Sequence, residues 1–369
     1  MERKISNYEA ICGFLIISIA NLVLTSGKIL IKSEKSASIL NSLFVSILAL
    51  LIFLLMCKYL KKFNGKNLID LSEILGGKYF KFLIGFLYIV YFFIRYAIFL
   101  RKIGDAMQLI YYPLTHIVFI IALITISSGI VSSIGNNSIF KSTSILLPLI
   151  YSTIILIFIG NSKNFNFNNI FPILGNGLSE TFLSGSSNIF VFNGLIYLYF
   201  IPHKLKNPEK IQKIGIIFWF FNFIYLLFCI SDIVLLFNNV TNHSELPPLY
   251  MSVRYIEFGT FFQRLDSAAI FIYILGLLCT LAINLTITLD IIKQITNISN
   301  TKPLLYPCLL ISFSIALSLN PNTVVEIFEN QISKALYIIL VIIIPLFIFI
   351  FTTLKQKNEK KEAISESIH

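Results

Sequence analysis

Two short polar breaks in an otherwise apolar sequence are where this chain can do chemistry. One runs Asn21-Leu22-Val23-Leu24-Thr25-Ser26-Gly27, and the other is Phe192-Asn193-Gly194. Lipid supplies no water to a helix interrupted at depth, so backbone freed there is tolerated only where protein or a cavity covers it. Freed N–H groups attract a carboxylate, and freed carbonyls attract an ammonium or a cation. The chemistry on offer is non-covalent recognition of a small zwitterion. Close helix packing is the competing use of Gly and Ser in a membrane span.

Other residues add to this inventory. Arg95 stands about halfway along its apolar stretch, where a charge either faces a cavity or partner or snorkels to an interface. Thr280 and Asn284 are four apart and share a helical face; they either present a hydroxyl and an amide to the bundle interior or bond their own backbone. Arg101 and Asp105 have the spacing of a structural ion pair. Asp232 is expected beside an external cation, and Asp290 is expected to be solvated. The histidines His116, His203, His243 and His369 are scattered. Cys12, Cys57, Cys229, Cys279 and Cys308 lie in or at the ends of apolar runs and form no CxxC pair. There is no phosphate-cradling glycine loop, no HExxH and no local Ser/His/Asp arrangement. No catalytic residue, metal ligand or cofactor is therefore expected.

Composition says what must position these residues. With 56% hydrophobic and 13% charged residues and a mean hydropathy of +0.83, the chain reads as an all-α polytopic membrane protein. The net charge of +11 does not point to nucleic acid, because most Lys and Arg fall in short loops between apolar runs. At about 20 apolar residues per crossing, about ten spans are expected. They are Tyr8 to Ile31, Ser38 to Cys57, Tyr79 to Ile110, His116 to Ile134, Ser144 to Gly160, Leu178 to Ile201, Ile211 to Phe237, Leu265 to Ile291, Leu304 to Leu319 and Ala335 to Leu354.

Loop lysines at 58 to 81, 204 to 213 and 355 to 361 fall on one side with Arg3 and Lys4, which places both termini in the cytoplasm. Lys28, Lys32 and Lys35 run against that rule. The first residues read as a membrane span without a cleavage site. The longest external segment, Asn238 to Arg264, is expected to hold a short amphipathic helix after Pro247-Pro248. Residues 1–354 form a single transmembrane domain in this reading, and 355–369 a disordered polar tail on the cytoplasmic side. Ten spans divide into two fives, about 8–160 and 178–354, with a break in the first span of each.

The stretch Asn168 to Leu178, NNIFPILGNGL, resembles the NNLxPVLGxGL segment that opens the sixth helix in the B subunits of spore germinant receptors. These are spore germination permeases within the amino acid–polyamine–organocation superfamily. Gly194 with Phe200-Ile201-Pro202 resembles that family's GxE…FLP pattern, and Ala20-Asn21 with Leu24-Thr25-Ser26-Gly27 resembles its AN…LGxG break. Arg101 to Thr115 resembles its arginine ahead of a Thr-Pro, and Phe262 to Asp266 its FxERxE segment.

The resemblance implies a leucine-transporter-like fold of two inverted five-helix repeats with broken helices one and six. It implies a germinant-sensing subunit in the spore inner membrane, partnered by A and C subunits, that binds a small molecule such as an amino acid. An autonomous solute transporter of the same superfamily is the alternative. Helices one, three, six and eight would then carry the ligand contacts, here Asn21, Thr25, Ser26, Gly27, Arg95, Phe192, Asn193, Gly194, Thr280 and Asn284. Departures are Ile196 at the family's helix-six Glu, His116 for the Pro of Thr-Pro, Thr25 for the first Gly of the helix-one break, and Lys28 after it. Loss of the helix-six carboxylate favours sensing over proton-coupled transport.

Overall fold

A capping box starts the first helix: Glu9 N–H donates to Ser6 Oγ at 3.3 Å, and Ser6 N–H donates to Glu9 Oε2 at 2.9 Å. The computed structural model describes residues 4–63, 65–237, 246–256, 265–298, 300–320 and 333–366. Helix α1 (Asn7–Asn21) passes through a π-helical turn, Leu22–Ser26, into α2 (Gly27–Glu34). The chain then reverses at Lys35, with φ 50°, into α3 (Ser38–Lys62). Helices α4 (Leu68–Ile110), α5 (Ile117–Ser133) and α6 (Asn136–Asn161) follow. A broken span comes next, π-helical at Ser179–Leu183 and 3₁₀ over Ser184–Tyr199. Beyond it lie α7 (Ile211–Leu236), α8 (Pro248–Arg254), α9 (Leu265–Thr296) and α10 (Leu305–Ser318). The closing run is Ser333–Tyr337, Ile338–Ile343 and Ile344–Glu366.

Seven helices among the described residues are long and apolar enough to cross a bilayer, and Ile117–Ser133 and Lys302–Ser318 are shorter apolar helices. With the broken span these supply the expected crossings of an all-α polytopic membrane protein. The first span of each half packs on its counterpart, α1 on the broken span. So do α3 on α7, α4 on α9 and α5 on α10, as a two-fold relation between repeats requires. Among the described residues the only bridge between extended segments joins Ile5 to Leu205, through Ile5 N–H to Lys204 O and Lys206 N–H to Ile5 O, both at 2.9 Å. Lys355 Nζ donates to Ile74 O at 2.9 Å, so the end of the last span lies beside the first turns of α4, just after the end of α3. Both ends of the chain thus share one face, here called the terminal face.

The sixteen residues Ser184–Tyr199 wind as 3₁₀ on either side of a kink at Phe192, which lengthens their contour. At about 2.0 Å per residue a 3₁₀ segment of that length extends on the order of 32 Å, against about 24 Å as an α-helix; the hydrocarbon core is about 30 Å thick. Its first turns, Ser184-Gly185-Ser186-Ser187-Asn188, are poor α-formers because short polar side chains compete for the backbone. Ser186 Oγ donates to Leu183 O at 2.7 Å, and Ser187 Oγ to Ser184 O at 2.8 Å.

The structure departs from the sequence expectations in several places. Residues 68–75, expected as loop, form a helix capped by Asn67 and Asp70 and ended by a kink at Gly76-Gly77, where Gly77 adopts φ 73°. The tail expected to be disordered continues the last helix to Glu366; its Lys, Glu and Gln residues are strong helix formers that prolong an existing helix. Asp290 is not simply solvated but pairs with Lys204 and accepts from Asn136 Nδ2 at 3.2 Å. Asp232 has no cation partner among the described residues; Asn161 Nδ2 donates to it at 3.1 Å. The short helix after Pro247 is present as α8 and packs on α7 and α9. Residues 238–245 and 257–264, including most of the Phe262–Asp266 motif, lie outside the described residues.

Candidate functional site

The two breaks meet, and their backbone is only partly free. Gly27 N–H donates to Leu22 O within the π-helical turn, so it is committed to its own helix, and a Cβ at Gly27 would stand 2.7 Å from that oxygen. The side chains of Thr25 and Ser26 lie outside the described residues. Gly194 N–H donates to Ser18 Oγ at 3.2 Å. A Cβ there would meet Ser18 Oγ at 2.5 Å and Phe14 O and Phe218 Cζ at 2.9 Å, so Gly194 lets α1 and the broken span touch. Phe192, with φ −89° and ψ 30°, marks the kink, and its carbonyl accepts from Tyr337 Oη at 3.3 Å.

Free polarity sits on side chains. Asn193 is 1% exposed, and neither amide atom has a partner among the described residues. Asn21, also 1% exposed, leaves its Nδ2 unpartnered. A buried group in that condition costs about 1–3 kcal/mol. Both asparagines belong to the interrupted first span of a repeat.

Around them stand groups from three further spans. Arg95 on α4 is half-buried, its guanidinium 5.2 Å from the Phe99 ring and 6.0 Å from the Tyr91 ring, and it makes no ion pair among the described residues. It acts electrostatically on Tyr91, Tyr197 and Tyr337, which places its charge toward the bundle interior. Tyr197 donates to Asn284 Oδ1 on α9. Thr280 and Asn284 otherwise turn to their own helix, Thr280 Oγ1 to Gly276 O at 3.0 Å and Asn284 Nδ2 to Thr280 O at 3.1 Å. Tyr91, Tyr197 and Tyr337 are the residues sequence reading missed. Their only signal is a hydroxyl in the middle of an apolar stretch, which in a membrane must find a partner.

Two openings flank this constellation. A cavity of about 1570 Å³ opens at the terminal face, lined by Asn67, His203, Lys204, Asp290 and Gln294 and reaching Thr286, two residues from Asn284. Toward the far face, an apolar cavity of about 50 Å³ is lined by Val23 and Leu24 of the first break with Ile103, Tyr250, Tyr273 and Leu277. Above the broken span a buried network closes the far face. Asn188 Nδ2 donates to Glu34 Oε1 at 2.9 Å and Asn41 Oδ1 at 3.1 Å, while Lys334 Nζ donates to Asn188 Oδ1 at 2.8 Å. The NNIFPILGNGL stretch supports that closure: Asn169 Nδ2 holds Leu235 O at 3.1 Å, and Ser36 Oγ holds Pro172 O at 2.7 Å. The described residues thus pair a cavity open at one face with a buried polar network toward the other. Ile196, where the resemblance places a Glu, is buried in the hydrophobic core.

Residues 4–324 match the protein family described as Spore germination protein. Spore germination protein KB of Bacillus subtilis (strain 168) is 25% identical over 304 residues, which cover 80% of this chain and 81% of that protein. Mhp1, a nucleobase-cation-symport-1 family transporter solved in a closed conformation with bromovinylhydantoin bound, superposes with a TM-score of 0.63 at 11% identity. The match covers 92% of this chain and 77% of Mhp1. The likeness is one of fold, the leucine-transporter-like arrangement of two inverted five-helix repeats.

Proposed function

This chain belongs to the spore germination protein family, and from that premise we propose that it is the germinant-sensing membrane subunit of a spore germinant receptor. The ligand is a small molecule, an amino acid or similar, bound where the interruptions of α1 and of the broken span meet α4 and α9. The observation that carries this reading is the pair of buried, unpartnered amides on the two breaks, Asn21 and Asn193. A permanently packed core gains nothing from such groups, whereas a ligand supplies their missing partners. Arg95, without a carboxylate partner among the described residues, suits an anionic group of the ligand. The apolar cavity beside Val23 and Leu24 suits a small apolar side chain.

In this reading the subunit lies in the spore inner membrane with both termini cytoplasmic and works with A and C subunits, and repeats of about 8–160 and 178–354 shift against one another. A second reading, autonomous transport, draws on the terminal-face cavity that reaches Thr286. Two measurements test the proposal. Spores carrying Asn21→Ala should need more germinant for half-maximal response, at matched abundance of this subunit. Proteoliposomes of the purified chain should bind labelled amino acids without accumulating them. An unmoved response curve removes the site assignment, and concentrative uptake moves the function to transport.

A further inference from the structure

Asp232 on α7 is a wholly buried carboxyl group, and its neighbours among the described residues are polar and uncharged. It is 0% exposed, as are its neighbours Asn161, the last residue of α6, and Ser252 on α8. Asn161 Nδ2 donates to Asp232 Oδ1 at 3.1 Å and to Ser252 O at 3.2 Å, which uses both of its N–H bonds. Two acceptor atoms in the cluster remain without a donor, Asp232 Oδ2 and Asn161 Oδ1. They belong to the same two side chains that are already joined through their other atoms.

No cation balances the carboxyl among the described residues. The titratable groups facing it are Cys229 on α7 and Tyr273 on α9, both uncharged in their ordinary forms. The Tyr273 hydroxyl is shared with Tyr225 Oη at 3.0 Å. On α8, Arg254 lies over its own Tyr250 ring at 5.8 Å, and the Ser252 hydroxyl donates to Leu249 O at 3.0 Å. Among the described residues an ionised Asp232 would be a buried anion whose only polar contacts are the Asn161 amide and the Ser252 hydroxyl, an arrangement proteins avoid by neutralising the group.

We propose that Asp232 is a proton site, its neutral acid paired reciprocally with the Asn161 amide. One proton on Oδ2, taken from the water at the far face, donates to Asn161 Oδ1 and satisfies both bare atoms at once. The second Asn161 N–H then holds α8 through Ser252 O. Because the proton is bound in this arrangement, acid favours the docked α8, and its hold weakens as pH rises through the pKa of the site. Tyr273, which faces Asp232, also lines the apolar cavity beside Val23 and Leu24, but the proton site rests on the Asp232–Asn161 pair alone and this inference does not depend on the germinant reading.

The test is infrared difference spectroscopy on the full-length chain in lipid nanodiscs, wild type against Asp232→Asn, in sodium and in choline buffers. The expected result is a protonated-carboxyl C=O band in acid that is missing from Asp232→Asn, fades as pH rises above the ordinary carboxyl range and ignores the choice of cation. A carboxylate that ionises in the ordinary carboxyl range, or bands that move when sodium replaces choline, overturn the proposal; the second outcome would make this an alkali-cation site. If Asp232→Asn fails to fold, Asn161→Leu with Asp232 intact should shift the C=O band to higher frequency as its hydrogen bond is lost. An unmoved band in that variant also overturns the proposal.

Discussion

Replacing Asn193 by Ala should stabilise the protein and desensitise it together, a combination that packing alone does not produce. The side chain is 1% exposed with both amide atoms unpartnered. Its removal relieves a desolvation cost of about 1–3 kcal/mol, offset in part by the small void left behind. The melting temperature of the purified, ligand-free chain should therefore hold or rise. If the same amide atoms bind the germinant, the variant loses on the order of 1–3 kcal/mol of binding, which moves half-maximal response to about 5–150-fold higher germinant concentration. The assay is germination rate against germinant concentration, with this subunit quantified in each spore preparation. A lower melting temperature with an unshifted curve would mean that Asn193 braces the fold through partners gained in another conformation, and the site would have to move.

Gly194→Ala should act through packing instead, costing about 1–3 kcal/mol of stability because its Cβ would collide with Ser18 Oγ at 2.5 Å. Reduced abundance and a partial rescue by Ser18→Gly are expected; a normal melting temperature would refute it. Arg95→Gln should raise the half-maximal germinant concentration, whereas Arg101→Gln should mainly lower stability, since Arg101 Nε is held by Asp105 at 2.9 Å; equal dose-response shifts at equal abundance would mean Arg95 is not selective for the ligand. Lys334→Met should loosen the far-face network, so that Asn41→Cys in a chain lacking the native cysteines becomes reactive toward impermeant thiol reagents; unchanged protection would show that the network does not seal this face. Cysteines at Lys62 and Ser36 should label from opposite sides of the membrane, Lys62 only after permeabilisation, and the reverse result would invert the orientation.

The breaks are legible in the sequence because lipid makes an interrupted span expensive, so Asn21 to Gly27 and Phe192 to Gly194 stand out against apolar neighbours. What fills each break is not legible. Whether Gly194 faces a ligand or Ser18 depends on the approach of α1, and their positions are 176 residues apart. The helix at 68–75 carries local signs, an Asn67/Asp70 capping pair and Gly76-Gly77, but the flanking Lys66, Lys78 and Lys81 make the region read as an ordinary charged loop. Tyr91, Tyr197 and Tyr337 could not be sorted from lipid-facing aromatics, since helical periodicity carries little contrast where almost every residue is apolar. Asp232 was visible as a charge, while its partner Asn161, 71 residues distant, looked like an ordinary helix end.

The stretched winding of the broken span has a mechanical consequence. Each residue that passes from 3₁₀ to α geometry shortens the segment by about 0.5 Å, so complete rewinding of its sixteen residues would retract it by about 8 Å. Both ends are moored, one where Asn188 grips Glu34 and Asn41, the other where the chain beyond Pro202 pairs with Ile5. A strand of fixed residue count held at two points behaves as a tether under extension. Rewinding on either side of the kink at Phe192 therefore changes the distance between the two moorings unless the kink opens to compensate.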